Sequence, residues 1–245
     1  MYYFASDMHL AGPGSGPDAA ARERLLASWL ESCAKDAEAI YLLGDVFDFW
    51  FEYEHVAPKG FTRTLATIGS LTERGIEVHF FPGNHDMWTV GYLEQECGLI
   101  VHRRAEVVEL YGKRLFLAHG DNIGRRTAGE RFLNGFFRNR TAKWLFERLI
   151  HPDLAMRFGH WWSRKSRKSS RRTAYTFWEE REPLVQYARA MGGDGRIDCF
   201  IFGHLHHCVD YRPDEALRAI FLGDWIDNPS FAALAPDGAI TLNRL

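Results

Sequence analysis

Ala39-Ile-Tyr-Leu-Leu-Gly-Asp45 and Val78-His-Phe-Phe-Pro-Gly-Asn84 are the stretches that decide the fold of this chain. Each is a strand-length, mostly apolar run that breaks at a glycine beside an oxygen-bearing side chain. Hydrophobicity that runs on without alternating belongs to a strand covered on both faces. Thr62 to Arg74, lying between the two, has helical character. Strand, loop, helix and strand at these lengths predict βαβ crossovers in an α/β domain, where functional groups gather beyond the carboxyl ends of the strands.

The same punctuation extends outward in both directions. Tyr2-Tyr-Phe-Ala-Ser6 reads as a short strand, followed by a Gly/Pro loop over 11–17 and a helix from about Asp18 to Ala34, with Asp18 as its N-cap. Glu106 to Leu110 and Arg114 to Ala118, joined by a turn at Tyr111-Gly112, predict a hairpin that delivers His119. From about Arg126 to Met191 the pattern is helical, with Leu133, Phe137 and Trp144 on one side and Pro152 and Gly159 as breaks. Strands return at Cys199 to Phe202, Leu217 to Leu222, Phe231 to Leu234 and Ala239 to Leu242.

Bulk properties exclude several classes. A chain of 245 residues, 46% hydrophobic and 25% charged, can bury one large core without covalent staples, so disorder and small disulfide scaffolds are set aside. Cys33, Cys97, Cys199 and Cys208 form no close pair and read as core thiols of a reducing compartment. No run of about 18 apolar residues is present. Asp7 interrupts the first apolar stretch, so neither a membrane span nor a signal peptide is expected. The expectation is a cytoplasmic chain whose membrane contact is peripheral.

Metal-ligand side chains stand at the predicted strand ends: Asp7-Met-His9, Gly44-Asp45, Gly83-Asn84-His85-Asp86, His119-Gly120-Asp121 and Gly203-His204-Leu205-His206. Any one of these alone is a weak signal; all of them in one chain, each after a β-like run, describe a two-metal hydrolase. Asp7 and His9 can reach one ion, Asp45 can bridge, Asn84 offers an amide oxygen, and His119, His204 and His206 complete the shells. Such a donor set suits two divalent ions about 3.5–4 Å apart acting on a phosphate ester or anhydride. Mn²⁺ is the expected metal, and Fe, Zn and Co fit the same mixed ligands. Asp48 reads as a residue supporting the ligands from behind. A binding scaffold without catalysis would be expected to lack a ligand, and every position is filled.

In order and spacing these motifs resemble the calcineurin-like metallophosphoesterase superfamily. That resemblance implies a four-layer αββα sandwich with helices outside. It also implies Asp7, His9, Asp45 and His206 on one metal, and Asp45, Asn84, His119 and His204 on the other. His85 is then a catalytic group that binds no metal and stabilises or protonates the departing oxygen, with Asp86 orienting its ring.

Residues 122–178 stand apart as a helical insertion in a single domain spanning 1–245. They hold fourteen Lys or Arg, three acids and eleven aromatics, a net +11 that leaves −13 for the remainder of a chain whose total is −2. Three readings fit this composition. It suits an anionic membrane surface met by cations and interfacial aromatics, or single-stranded nucleic acid met by charge and stacking, or a helical hairpin with its aromatics in the core. Because the segment leaves directly after His119-Gly-Asp121, it is placed to act as a lid over the site.

More narrowly, Leu43-Gly-Asp-Val-Phe-Asp-Phe-Trp50, the basic insertion and Leu222-Gly-Asp-Trp225 resemble the UDP-2,3-diacylglucosamine pyrophosphatases of lipid A synthesis. That resemblance implies a nucleotide-linked acylated sugar as substrate, cut at its diphosphate to UMP and the sugar 1-phosphate. Asn84, His85, Ser166 and Arg167 are the candidate substrate contacts, and nucleic acid is not the expected partner. His85 departs from the Arg carried by the best-known members and follows the wider superfamily. A general phosphodiesterase, nucleotide pyrophosphatase or nuclease is the alternative.

Overall fold

The computed structural model describes residues 1–12, 15, 17–124, 135, 139–172, 176–192 and 196–245; the side chains of 17, 140 and 164–172 lie outside that description, and with them Ser166 and Arg167. Leu133 and Phe137 also fall outside the described residues.

The strands are β1 (Tyr2–Ala5), β2 (Ala39–Leu42), β3 (Glu77–Phe80), β4 (Ile100–Val101), β5 (Glu106–Leu110), β6 (Lys113–Ala118), β7 (Cys199–Phe202), β8 (Cys208–Asp214), β9 (Leu217–Leu222), β10 (Ser230–Leu234) and β11 (Ile240–Arg244). Among the described residues they form two sheets, ordered β11-β10-β1-β2-β3-β4 and β5-β6-β7-β9-β8. β1, β2 and β3 run parallel as the crossovers require, and so do β6, β7 and β9. The helices are α1 (Pro17–Cys33), α2 (Thr62–Glu73), α3 (Tyr92–Cys97), α4 (Arg140–Leu149), α5 (Pro152–Arg172) and α6 (Pro183–Gly192).

Period-2 side-chain alternation explains why the strands read as unbroken apolar runs. Along β2 and just past it, Ala39, Tyr41 and Leu43 face Leu115, Leu117, Ile201 and Ile220 of the other sheet, while Ile40 and Leu42 face Leu26, Leu30, Ile68 and Leu71 of α1 and α2. On β7, Cys199 and Ile201 turn to the inter-sheet core, and Phe200 and Phe202 turn to Leu184, Val185 and Ala188 of α6. Helices therefore cover both outer faces, which is the expected αββα sandwich. Each fully buried large aliphatic contributes about 1.5–3 kcal/mol to this packing.

Two expectations are corrected. Asp18 lies inside the first turn of α1, which begins at Pro17, rather than capping it; there the carboxylate meets the positive end of the helix. Gly159 does not break a helix. It sits buried in mid α5, where a Cβ would come under 3.0 Å from ring carbons of Phe49, so glycine is kept for close approach. Pro152 does mark the break, standing as the first residue of α5. The helical stretch reaching Met191 ends in α6, which packs on the second sheet as part of the frame.

α4 and α5 rest on the loop that follows β2. Phe146 packs on Phe51 and Trp88, Lys143 lies 5.9 Å from the Phe51 ring centroid, and the Tyr53 hydroxyl donates to the Ile150 carbonyl at 3.0 Å. α5 seats through Ala155, Gly159 and Ser163, small residues repeating every fourth position on one face. Its other side leaves Leu154, Phe158, Trp161 and Trp162 about half exposed, as are Trp144 of α4 and Trp178. The described tryptophans of the insertion are therefore surface residues, not core. Among the described residues no helix is long and apolar enough to cross a membrane.

Candidate metal centre

Five strand ends converge: Asp7 and His9 follow β1, Asp45 follows β2, Asn84 and His85 follow β3, His119 follows β6, and His204 and His206 follow β7. The loops are laced together by backbone bonds, Asp7 N–H to Gly44 O at 3.0 Å and His9 N–H to Asp45 O at 2.9 Å. Trp225 N–H holds the Asp7 carbonyl at 3.0 Å. The Leu222-Gly-Asp-Trp225 motif thus acts as packing behind the site.

Asp7, His9, Asp45, His204 and His206 all have positive φ, between 45° and 67°. Left-handed backbone is uncommon outside glycine and costs about 1–3 kcal/mol in its less favoured forms; when it clusters at a site, the surrounding structure holds it there. Gly44, at φ 85°, and Gly203 permit the close approach. A Cβ on Gly44 would stand 2.6 Å from His119 Nδ1, and one on Gly203 2.6 Å from Asp7 Oδ2.

The donors form two overlapping groups. In one, Asp7 Oδ1 lies 3.2 Å from His206 Nε2 and 3.7 Å from His9 Nε2, and the two histidine nitrogens are 3.2 Å apart. In the other, Asp45 Oδ2 lies 3.4 Å from His119 Nε2, which is 3.4 Å from Asn84 Oδ1, and the His204 ring stands 5.2 Å from that of His119. His9 Nε2 is 3.9 Å from Asp45 Oδ2, so the carboxylate of Asp45 stands between the groups. All seven expected ligands are brought to one place.

Electrostatics follow from burial against pairing. Burial alone would raise the carboxyls of Asp7 and Asp45, but the facing imidazoles of His206, His9 and His119 hold both well below the usual range. Burial disfavours a charged His119 too, yet the Asp45 carboxylate raises that ring well above its ordinary value. Burial pushes His85 and His204 down to about 4.

The residues fit divalent cations on the structure's own terms. Asp7 Oδ1 is buried and makes no hydrogen bond, although imidazole nitrogens face it. A buried acceptor left so costs about 1–3 kcal/mol unless something else satisfies it. The His119 Nδ1 donates to the Leu43 carbonyl at 2.8 Å, which leaves Nε2, turned toward Asp45, as the nitrogen that can give up its proton and ligate a cation.

Asp86 is a correction. It does not orient His85; it accepts from the backbone N–H groups of Gly83 at 2.7 Å, Asp45 at 3.2 Å and Phe47 at 3.3 Å, tying the β2 and β3 loops together. Burial, with the Asp45 charge adding, pushes Asp86 up to about 7. The His85 ring is instead held by the Asp48 carbonyl, which accepts from Nδ1 at 2.8 Å and turns Nε2 toward Asp45 Oδ2, 4.0 Å away. Sequence reasoning missed this carbonyl, which has no side-chain signature. It also missed Ser6, whose hydroxyl donates to Asp7 Oδ2. Ser163, whose hydroxyl donates to Asp48 Oδ1 at 2.6 Å, was missed as well; its only signal was the four-residue spacing with Ala155 and Gly159.

This sandwich and donor set define a metallophosphoesterase, and the calcineurin-like phosphoesterase family model matches residues 2–208, so the chain belongs to that family. It is a metal-dependent hydrolase using divalent ions. Within the family it is 41% identical to the UDP-2,3-diacylglucosamine hydrolase of Porphyromonas gingivalis, covering 94% of this chain and 92% of that one. The UDP-2,3-diacylglucosamine hydrolase of Pseudomonas aeruginosa is 31% identical, with 91% and 90% covered. A solved archaeal phosphodiesterase covers 100% of this chain and 99% of its own at 13% identity, with a TM-score of 0.48.

Proposed function

We propose that this protein hydrolyses UDP-2,3-diacylglucosamine at its diphosphate, releasing UMP and 2,3-diacylglucosamine 1-phosphate. The observation that carries the reading is the seating of α5 beside the metal-ligand cluster with an exposed stripe of Leu154, Phe158, Trp161 and Trp162. An apolar stripe followed in sequence by the cations of 164–172 matches a substrate that joins acyl chains to a diphosphate. It also suits peripheral contact with an anionic membrane surface, where such a substrate resides. Identity to the named hydrolases over most of the chain supports the same choice.

Asp7, His9, Asp45 and His206 would hold one ion and Asp45, Asn84, His119 and His204 the other, with Mn²⁺ the favoured metal. When bound, such ions supply Lewis acidity toward phosphoryl oxygens and a nucleophile at neutral pH. The chain's own part is positional. With its Nδ1 proton committed to the Asp48 carbonyl, His85 carries any second proton on Nε2, the atom facing the cluster, where the leaving oxygen can take it. Ser166 and Arg167, in that basic run of the sequence, are the candidate contacts for the sugar phosphate.

Full-length protein is assayed with Mn²⁺ on UDP-2,3-diacylglucosamine and, in parallel, on short single-stranded DNA. UMP release from the lipid alone is expected; cleavage of DNA alone overturns the reading in favour of a nuclease.

A further inference from the structure

Residue 48 touches both histidines whose orientation matters most, and a side chain of the insertion sits on it. Its carbonyl accepts from His85 Nδ1 at 2.8 Å, and its Oδ1 lies 3.6 Å from His9 Nδ1. The same Oδ1 accepts the Ser163 hydroxyl at 2.6 Å, across 115 residues of sequence. Ser163 and Asp48 are 1% and 2% exposed, so water does not compete for this bond.

His9 has its two ring nitrogens in different places. Nε2 faces Asp7, Asp45 and His206, while Nδ1 is buried without a hydrogen-bond partner and has the Asp48 carboxyl before it. An imidazole that offers Nε2 to a cation carries its proton on Nδ1, and a carboxylate behind that N–H fixes the tautomer and the ring plane. At 3.6 Å the contact stands just short of a hydrogen bond. A small movement of the Asp48 carboxyl therefore makes or breaks it. The Ser163 hydroxyl, fixed to a helix that seats through Ala155 and Gly159, sets where that oxygen lies.

We propose that Ser163 is a positioning residue: by holding Asp48 it couples the seating of α5 to the orientation of His9, so that docking of the insertion helix and cation binding reinforce each other. The coupling rests on the assignment of His9 as a ligand made above. Because it is a free energy shared between two sites, it is reciprocal: cation binding tightens α5 by the factor by which a seated α5 tightens the cation. A purely structural Ser163 would change stability and leave metal affinity alone.

The test uses full-length wild type, Ser163→Ala, Asp48→Asn and the double variant. Mn²⁺ affinity is read by calorimetry, and amide exchange of peptides spanning 152–163 is read with and without Mn²⁺. Mn²⁺ is expected to slow exchange over 152–163 in wild type but not in Ser163→Ala, whose affinity drops about 5-fold or more. Asp48→Asn is expected to lose about 10-fold or more, and Ser163→Ala to add nothing in that background. Wild-type affinity and protection in Ser163→Ala, or losses that add in full in the double variant, overturn the coupling while leaving the metal assignment intact. A wild type that binds no Mn²⁺ overturns the metal assignment itself and the coupling with it. Should Ser163→Ala fail to fold, Asp48→Asn decides: it must lose the Mn²⁺-linked protection of 152–163, and keeping it refutes the proposal.

Discussion

Gly159→Ala and Gly69→Ala are the same chemical change on two helices, and the structure predicts opposite signs for them. In a helix interior, alanine is favoured over glycine by about 0.8–1.0 kcal/mol, chiefly through backbone entropy. At Gly69, in α2, the new methyl meets only the Glu96 carbonyl at 3.9 Å, an ordinary contact, so the full gain is expected. At Gly159 the methyl would come under 3.0 Å from three carbons of the Phe49 ring. Carbon atoms pack best at about 3.5–4.0 Å, so α5 must lift by on the order of 1 Å or Phe49 must turn away. Overpacking of this kind costs about 1–3 kcal/mol. Set against the helical gain, the net is a loss of about 0–2 kcal/mol. Because the strain falls on the seat, the docked-to-undocked ratio of α5 drops by up to about 100-fold at the upper end of the overpacking cost. Urea unfolding should place Gly69→Ala above wild type and Gly159→Ala at or below it. The lipid substrate should lose turnover in Gly159→Ala more than a small chromogenic diester does. Equal stabilisation of both variants, with unchanged lipid turnover, would refute the packing of α5 on Phe49.

Asp45→Ala removes the carboxylate between the two donor groups; bound metal measured after Mn²⁺ loading and desalting should fall below one ion per chain with activity abolished, and near-normal loading would contradict the assignment. His85→Ala should keep its metal and lose about 10²–10⁴ in turnover, the usual range for acid/base assistance, whereas loss of both ions would make His85 a ligand. Acid should destabilise the fold in part through His79, which stacks on Tyr41 and contacts His102 and Glu77, with Glu106 beyond His102. Burial, followed by the neighbouring His102, pushes His79 below its ordinary value of 6.5. The unfolded chain then takes up this proton first, so the stabilisation is present above pH 6.5 and is lost as pH falls below it. His79→Phe should flatten the dependence of the urea midpoint on pH just below 6.5, and an unchanged slope would place the acid sensitivity elsewhere.

Much of the frame was legible because its signals are local. β2, β7 and β9 announce themselves as apolar runs since both faces are covered; β2 and β7 stop at turns that carry ligands, and β9 stops at the Gly223-Asp-Trp225 turn that packs behind the site. Short or half-exposed elements left weaker traces: β4 is two residues long, and β8 alternates with charged positions, so neither was read from the sequence. The ligand types and their order were equally readable, because metal chemistry restricts them to a few side chains.

What the chain dictated by itself is the set of strands, the crossovers and the identities of the ligating groups, all properties of residues near one another in sequence. Tertiary structure alone decided that Asp86 serves the backbone while a carbonyl of residue 48 holds His85. It alone decided that the insertion's described tryptophans face outward, that Gly159 is a point of contact rather than a break, and that Ser163 reaches Asp48. The physical reason is that a hydrogen-bond partner or a packing neighbour tens to more than a hundred residues away leaves no periodicity or spacing in the sequence. Only the juxtaposition of folded elements brings the two atoms within reach.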